Sequence, residues 1–89
     1  MAENNDPTRA AQKITVEIFG DIYSLKTDSD PEYVKNLAYM VDRHMKNVAK
    51  RTRTFQSNRI SVLAALEIAD EYLKLKKDYD DLLALLEEK

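Results

Sequence analysis

From Ile68 to Leu86 the apolar residues Ile68, Tyr72, Leu75, Tyr79, Leu82 and Leu86 follow one another in alternating steps of four and three, the heptad spacing of a helix that buries a seam against another helix. A helix from about Ser57 to the end of the sequence would run roughly 45 Å at 1.5 Å per residue, and the segment ahead of it is too small to cover it. The spacing therefore predicts association, most simply of two copies. With Ile68, Leu75 and Leu82 at d positions, Ala65, Tyr72, Tyr79 and Leu86 take a, Glu71 takes g and Lys76 the following e. A parallel dimer would then set Glu71 against Lys76 of the second copy, a pair that biases orientation while the apolar seam drives assembly. Ala65, Ile68, Tyr72, Leu75, Tyr79, Leu82 and Leu86 are the expected dimerisation residues. Tyrosine at two a positions is bulkier than the β-branched residues of tight dimers, which leaves a tetramer open.

Ahead of this helix, Ile14, Val16 and Ile18 alternate with Thr15 and Glu17, and Ile22 to Lys26 forms a second short run of strand-forming residues. The only glycine, Gly20, falls between them. With Gly20 and Asp21 as a two-residue link, Phe19 faces Ile22, Ile18 faces Tyr23 and Val16 faces Leu25. Ile14, Val16, Ile18, Tyr23 and Leu25 then share the core face, and Phe19 and Ile22 pair at the tip of the other. Asp30-Pro31-Glu32 next reads as a helix start, with Asp30 as N-cap and Pro31 at the first helical position. Val34, Leu37, Ala38, Val41, Met45 and Val48 recur at helical spacing and predict one stripe packed under the hairpin. The pattern lapses between Arg51 and Gln56, where Ser57 can cap a new helix. In the first half of that helix Val62, Leu63, Leu66, Ala69 and Leu73 form a second seam, which predicts burial on several sides.

The expected fold is α+β: a small head of β-hairpin and amphipathic helix over residues 13–56, then a long C-terminal helix over 57–89 forming a dimeric coiled coil. Residues 1–12 carry no apolar period and are expected to be a disordered tail. No cysteine is present, so disulfides and Cys-based zinc sites are excluded, which fits a reducing cytoplasm. The N-terminus lacks the apolar stretch of a signal peptide, and no apolar run approaches the ~18 residues that cross a bilayer. No membrane association is expected.

Catalysis has little to stand on. A single histidine and a single glycine exclude a phosphate-cradling glycine-rich loop and a multi-histidine metal site, and no cysteine nucleophile exists. His44 lies on the first helix without a partner cluster and is read as packing. Asp78, Asp80 and Asp81 lack the glycine and spaced glutamate of a calcium loop and read as a solvated helix face. No catalytic, cofactor-binding or metal site is expected.

Two surfaces remain as candidates. Net charge is −2, yet no acidic residue occurs from Arg43 through Leu66, a span holding Arg43, Lys46, Lys50, Arg51, Arg53 and Arg59. Such a stretch compensates the C-terminal dipole of the first helix, or it meets an acidic partner. A small dimeric nucleic-acid-associated protein is one reading of it. The stretch lacks the interleaved aromatics of a single-strand platform and the chain as a whole is acidic, so nucleic acid is not expected and protein is favoured. The second surface is the hairpin tip with Phe19, Asp21 and Ile22, which either packs on a second copy or meets a partner.

Val16-Glu17-Ile18-Phe19-Gly20, Asp30-Pro31-Glu32-Tyr33-Val34 and Ile60 to Asp70 with its Ala64-Ala65-Leu66 centre stand in an order that resembles the bacterial Z-ring-associated cell division protein family ZapA. The resemblance runs from about Lys13 to Lys77. It implies a cytoplasmic dimer at mid-cell whose heads bind the tubulin-like GTPase FtsZ, cross-link and bundle its protofilaments and lower its GTPase turnover. It also implies binding through charged residues near the turn and the start of the second helix, where this chain has Asp21, Arg59 and neighbouring basic residues. Relatives that tetramerise do so through a longer coil.

Overall fold

The computed structural model describes residues 11–87. Its elements are β1 (Gln12–Ile18), β2 (Asp21–Thr27), α1 (Pro31–Thr52) and α2 (Ser57–Glu87), the expected α+β order of hairpin, helix and long C-terminal helix. The chain divides into one compact unit reaching to Lys46 and a second beginning at Asn47. Most of the expected disordered tail, residues 1–10, lies outside the described residues.

In the first unit β1 and β2 pair antiparallel with Ile18 opposite Asp21, Val16 opposite Tyr23 and Ile14 opposite Leu25. The expected register is therefore corrected. The two-residue link is Phe19-Gly20, and Ile22 sits opposite Glu17 instead of Phe19. Both link residues have positive φ, 51° at Phe19 and 85° at Gly20, as a type I′ turn requires, and glycine takes the second central position that it takes in the favoured Asn-Gly pair. The shift moves each pairing by two residues. Since side chains alternate with period two, the same residues stay on the same face.

That face meets α1 mainly along β1. Ile14, Val16, Val34 and Ala38 form a buried cluster with Ile18 packed against it, while Tyr23 and Leu25 remain 45% and 39% exposed. The single stripe expected on α1 is also narrower than its spacing suggested, because Leu37 is exposed. A helix carrying apolar residues at both i+3 and i+4 spreads them over more than a two-stranded hairpin can cover. At the start of α1, Asp30 caps as expected: its carboxylate accepts the N–H of Glu32 at 3.3 Å and its carbonyl that of Val34 at 3.2 Å.

In the second unit α1 ends without glycine. Arg53 adopts φ 56° and donates its N–H to the Ala49 carbonyl at 2.9 Å, the left-handed cap usually supplied by glycine or asparagine. Thr52 adds a hydroxyl bond to the Val48 carbonyl at 2.8 Å. The cap of α2 is Gln56, whose carbonyl accepts the Ile60 N–H at 3.0 Å, so Ser57 is the first helical residue and not the cap. Val48, Ile60 and Ala64 are buried, with Leu63 and Ile68 half-buried. Burial on several sides is not what the first half of α2 has in a single chain: Val62, Leu66 and Leu73 are about 60% exposed. The covered side is that of Ile60 and Ala64, and both apolar seams lie largely outside it.

Two substitutions at left-handed positions should move stability in opposite directions. Gly20→Ala should destabilise by about 1 kcal/mol from backbone strain alone, since an added Cβ meets nothing within 4 Å. Arg53→Gly should stabilise by up to about 1 kcal/mol by relieving the same strain. Urea midpoints at one fixed protein concentration check both, and equal effects of the two changes would contradict the assigned conformations.

Candidate functional site

The hairpin tip is fastened by a contact far apart in sequence. Phe19 donates its backbone N–H to Oδ1 of Asp42 at 2.8 Å, and Oδ2 of the same carboxylate pairs with Lys46 Nζ at 3.0 Å. A phenylalanine in the left-handed region costs on the order of 1 to 2 kcal/mol, and a charge-assisted hydrogen bond contributes a comparable amount. Asp42 thus holds the turn where the ladder alone would not. Its side chain is only 14% exposed. The Phe19 N–H, followed by Lys46, pulls its pKa below the ordinary 3.8 against the opposing effect of burial. Asp42 in turn raises the pKa of Lys46.

The sequence-predicted tip residues fall accordingly. Phe19 is half-buried in the turn, Asp21 is exposed at the start of β2, and Ile22 is 71% exposed on the face opposite the core. Between β1 and α1 lies an open groove of about 230 Å³ lined by Thr15, Val16, Glu17, Lys35, Ala38, Tyr39 and Asp42, below the range of roughly 300 Å³ upward that holds cofactors and drug-sized ligands. Among the described residues no group of three His, Cys, Asp or Glu side chains could hold a metal ion. His44 is half-buried on α1.

The basic stretch is not one surface. Lys46 is engaged by Asp42, Arg43 lies 5.9 Å from the centre of the Tyr39 ring one turn earlier, and Arg51 forms an ion pair with Glu67 of α2. Among the described residues no ion pair involves Lys50, Arg53 or Arg59. Those three belong to the second unit and bracket the link from α1 to α2. Within that link stands Phe55, 96% exposed, a residue that spacing arguments passed over because a single aromatic in a loop has no period.

The heptad residues of α2 are open. Tyr72, Leu75, Tyr79, Leu82 and Leu86 are each more than half exposed, Ala65 is exposed and Ile68 half-buried. Along the polar flank Lys74 pairs with Asp70 at 3.0 Å, Lys76 with Asp80 at 3.1 Å and Lys77 with Asp81 at 2.8 Å. Lys76, expected at e against Glu71 of a second copy, is thus already engaged within its own helix. No described helix is long and apolar enough to cross a membrane.

A two-stranded hairpin, an amphipathic helix and a long helix with an uncovered heptad seam define a small α+β protein of the head-and-long-helix type. The family model described as cell division protein ZapA matches residues 14–89. Cell division protein ZapA of Shouchella clausii is 40% identical over 80 residues, covering 90% of this chain and 97% of that protein. That of Geobacillus thermodenitrificans is 35% identical over 74 residues, covering 83% and 81%. Among solved structures, a ZapA mutant dimer from Geobacillus stearothermophilus superposes with a TM-score of 0.69 at 28% identity, covering 93% of this chain and 96% of that one. The chain belongs to the ZapA family of cell division proteins.

The Asp42 anchor gives a pH dependence of definite sign. A carboxylate whose folded pKa lies below its unfolded value stabilises the fold above about pH 4, and that contribution fades as pH falls through the folded pKa. Asp42→Ala should lower stability at pH 7 by about 1 to 2 kcal/mol. Asp42→Asn, which keeps a neutral acceptor, should cost less and should flatten the loss of stability below about pH 4, as followed by circular dichroism. An unchanged acid limb in Asp42→Asn would mean that other carboxylates set it.

Proposed function

We propose that this chain is a non-enzymatic, cytoplasmic cross-linker of FtsZ, acting at the mid-cell division site as a homodimer joined along α2. The observation that carries the reading is the open heptad seam. Leu75 is 69% exposed and Leu86 65%, and a run of such residues on one helix is stable in water when a second helix covers it. Family membership supports a role in cell division, and the likeness to a ZapA dimer supports two copies. Ala65, Ile68, Tyr72, Leu75, Tyr79, Leu82 and Leu86 form the seam of the proposed coil, over residues 57–89, and residues 13–56 form the proposed head.

Two joined copies present every surface twice. Once one copy holds a filament, its mate is confined near neighbouring filaments at high effective concentration, so bundling needs no contact beyond the one that binds a single filament. Lower GTPase turnover follows if bundled filaments exchange subunits more slowly. The proposed contact residues are the tip, Phe19, Asp21 and Ile22, and the basic stretch of Arg43, Lys46, Lys50, Arg51, Arg53 and Arg59.

Co-sedimentation with polymerised FtsZ tests the reading, with bundles counted by light scattering. The wild-type chain should pellet with filaments and raise scattering, whereas Leu75→Pro, which breaks the helix carrying the seam, should abolish the scattering gain and keep weaker filament binding. Equal loss of binding and bundling in Leu75→Pro contradicts bivalency, and wild-type protein that leaves bundling unchanged contradicts the function.

A further inference from the structure

Between Arg53 and Arg59 three choices run against local preference. Arg53 holds a left-handed backbone at φ 56° that glycine would adopt without strain. Phe55 is 96% exposed, more than any other large apolar side chain among the described residues. Arg59 lies in the first turn of α2, which contains no acidic residue, although the helix dipole favours an acid there. The backbone strain at Arg53 and the missing acid at the start of α2 cost stability, the open phenylalanine contributes none, and a sequence keeps such departures where function uses them.

We propose that Phe55, together with Lys50, Arg53 and Arg59, is the docking surface for an acidic protein segment bearing an apolar side chain. Its biological partner rests on the function proposed above; its chemistry does not. Among the described residues Lys50, Arg53 and Arg59 have no ion pair, whereas Lys46 and Arg51 are occupied by Asp42 and Glu67 and Arg43 lies over the Tyr39 ring. An exposed aromatic close in sequence to cations that have no ion pair among the described residues has the makeup of an interface anchor, the ring filling a pocket and the cations steering and orienting acidic groups.

A short acidic segment fits better than a polyanion or a bilayer. Sequence pI is about 5.4 and α2 carries Asp70, Asp78, Asp80 and Asp81 further along. A nucleic acid spanning many phosphates would meet these carboxylates, while a short peptide feels mainly the charges within the ~8 Å screening length. A single phenylalanine with so few cations is also a small footprint for an anionic membrane. A second copy is a poorer occupant, since Asp70, Asp80 and Asp81 are each engaged by a lysine of their own helix.

Fluorescence anisotropy with a labelled peptide of alternating aspartate and leucine tests the surface on the full chain. The wild-type protein should bind it at low salt. Phe55→Ala should weaken binding about tenfold, and the double change Arg53→Ala with Arg59→Ala should weaken it similarly and flatten its salt dependence, while Lys77→Ala, at a lysine paired with Asp81 on α2, should change little. Phe55 is so exposed that its removal leaves folding intact, which circular dichroism verifies. No binding, or binding indifferent to both variants, overturns the proposal. So does tighter retention of duplex DNA or of phosphatidylserine vesicles than of the peptide. A Phe55→Ala protein whose mass by sedimentation equilibrium differs from wild type overturns it too, by assigning the ring to contact between copies. Pelleting with FtsZ separates the two readings. Phe55-dependent peptide binding by a protein that ignores FtsZ supports the surface and overturns the function, and FtsZ pelleting unchanged by Phe55→Ala does the reverse.

Discussion

Every described residue of α2 from Ala69 to Glu87 is exposed in the single chain, and the rest of the molecule's logic follows from that uncovered length. A helix of 31 residues has no reason to persist in water on propensity alone, because most helical stability in proteins comes from packing an apolar face. Ion pairs from Lys74, Lys76 and Lys77 along its flank are solvent-exposed and screened, and two of them place the lysine before the aspartate, the weaker order for an i,i+4 pair. What remains to stabilise the helix is the seam. In the proposed dimer folding and association are one equilibrium for this part of the chain, and its apparent stability depends on protein concentration.

The head solves a different problem. A lone hairpin is marginal in water, and here it gains a helix whose Val34 and Ala38 pack with Ile14, Val16 and Ile18. Apolar contact alone would leave the turn free to fray or slip register. The Phe19 N–H held by Asp42 closes that option at 2.8 Å, tying the link between the strands to a helix more than twenty residues on. Phe19 can then occupy a conformation in which asparagine would be more comfortable.

How much of this was legible in the sequence depended on whether the signal was local and periodic. The heptad steps from Ile68 to Leu86, the alternation from Ile14 to Ile18 and the Asp30-Pro31-Glu32 start are each a repeat or a cap within a few residues, and each gave the observed element. The hairpin register was missed by two residues because one glycine fits either position of a primed turn, and the choice was made by Asp42, invisible to any short-range rule. The end of α1 was found only as a lapse in pattern, since Arg53 takes the role that glycine normally announces. The width of the apolar stripes misled in one consistent direction. Leu37, Val62, Leu66 and Leu73 were read as covered, and their exposure means that the pattern encodes an assembly larger than one chain.

The basic stretch shows why composition could mark the candidate surface but not divide it. Net charge along Arg43 to Arg59 counts every arginine and lysine equally, whereas an ion pair removes a side chain from the field a partner feels. Lys46 and Arg51 are withdrawn in this way by Asp42 and Glu67, acids that lie outside the stretch in sequence and reach it only through the fold. Among the described residues Lys50, Arg53 and Arg59 have no such acid, and in sequence they flank or occupy the turn between the helices that holds Phe55. A turn is a favourable place for such a group, because its side chains project without competing for the faces that the helices need for packing. In the proposed assembly the two kinds of surface are separate: apolar length on α2 for a like copy, and a charged and aromatic turn for an unlike one. Selection could then tune grip on the partner at Phe55 without disturbing the seam that joins the copies.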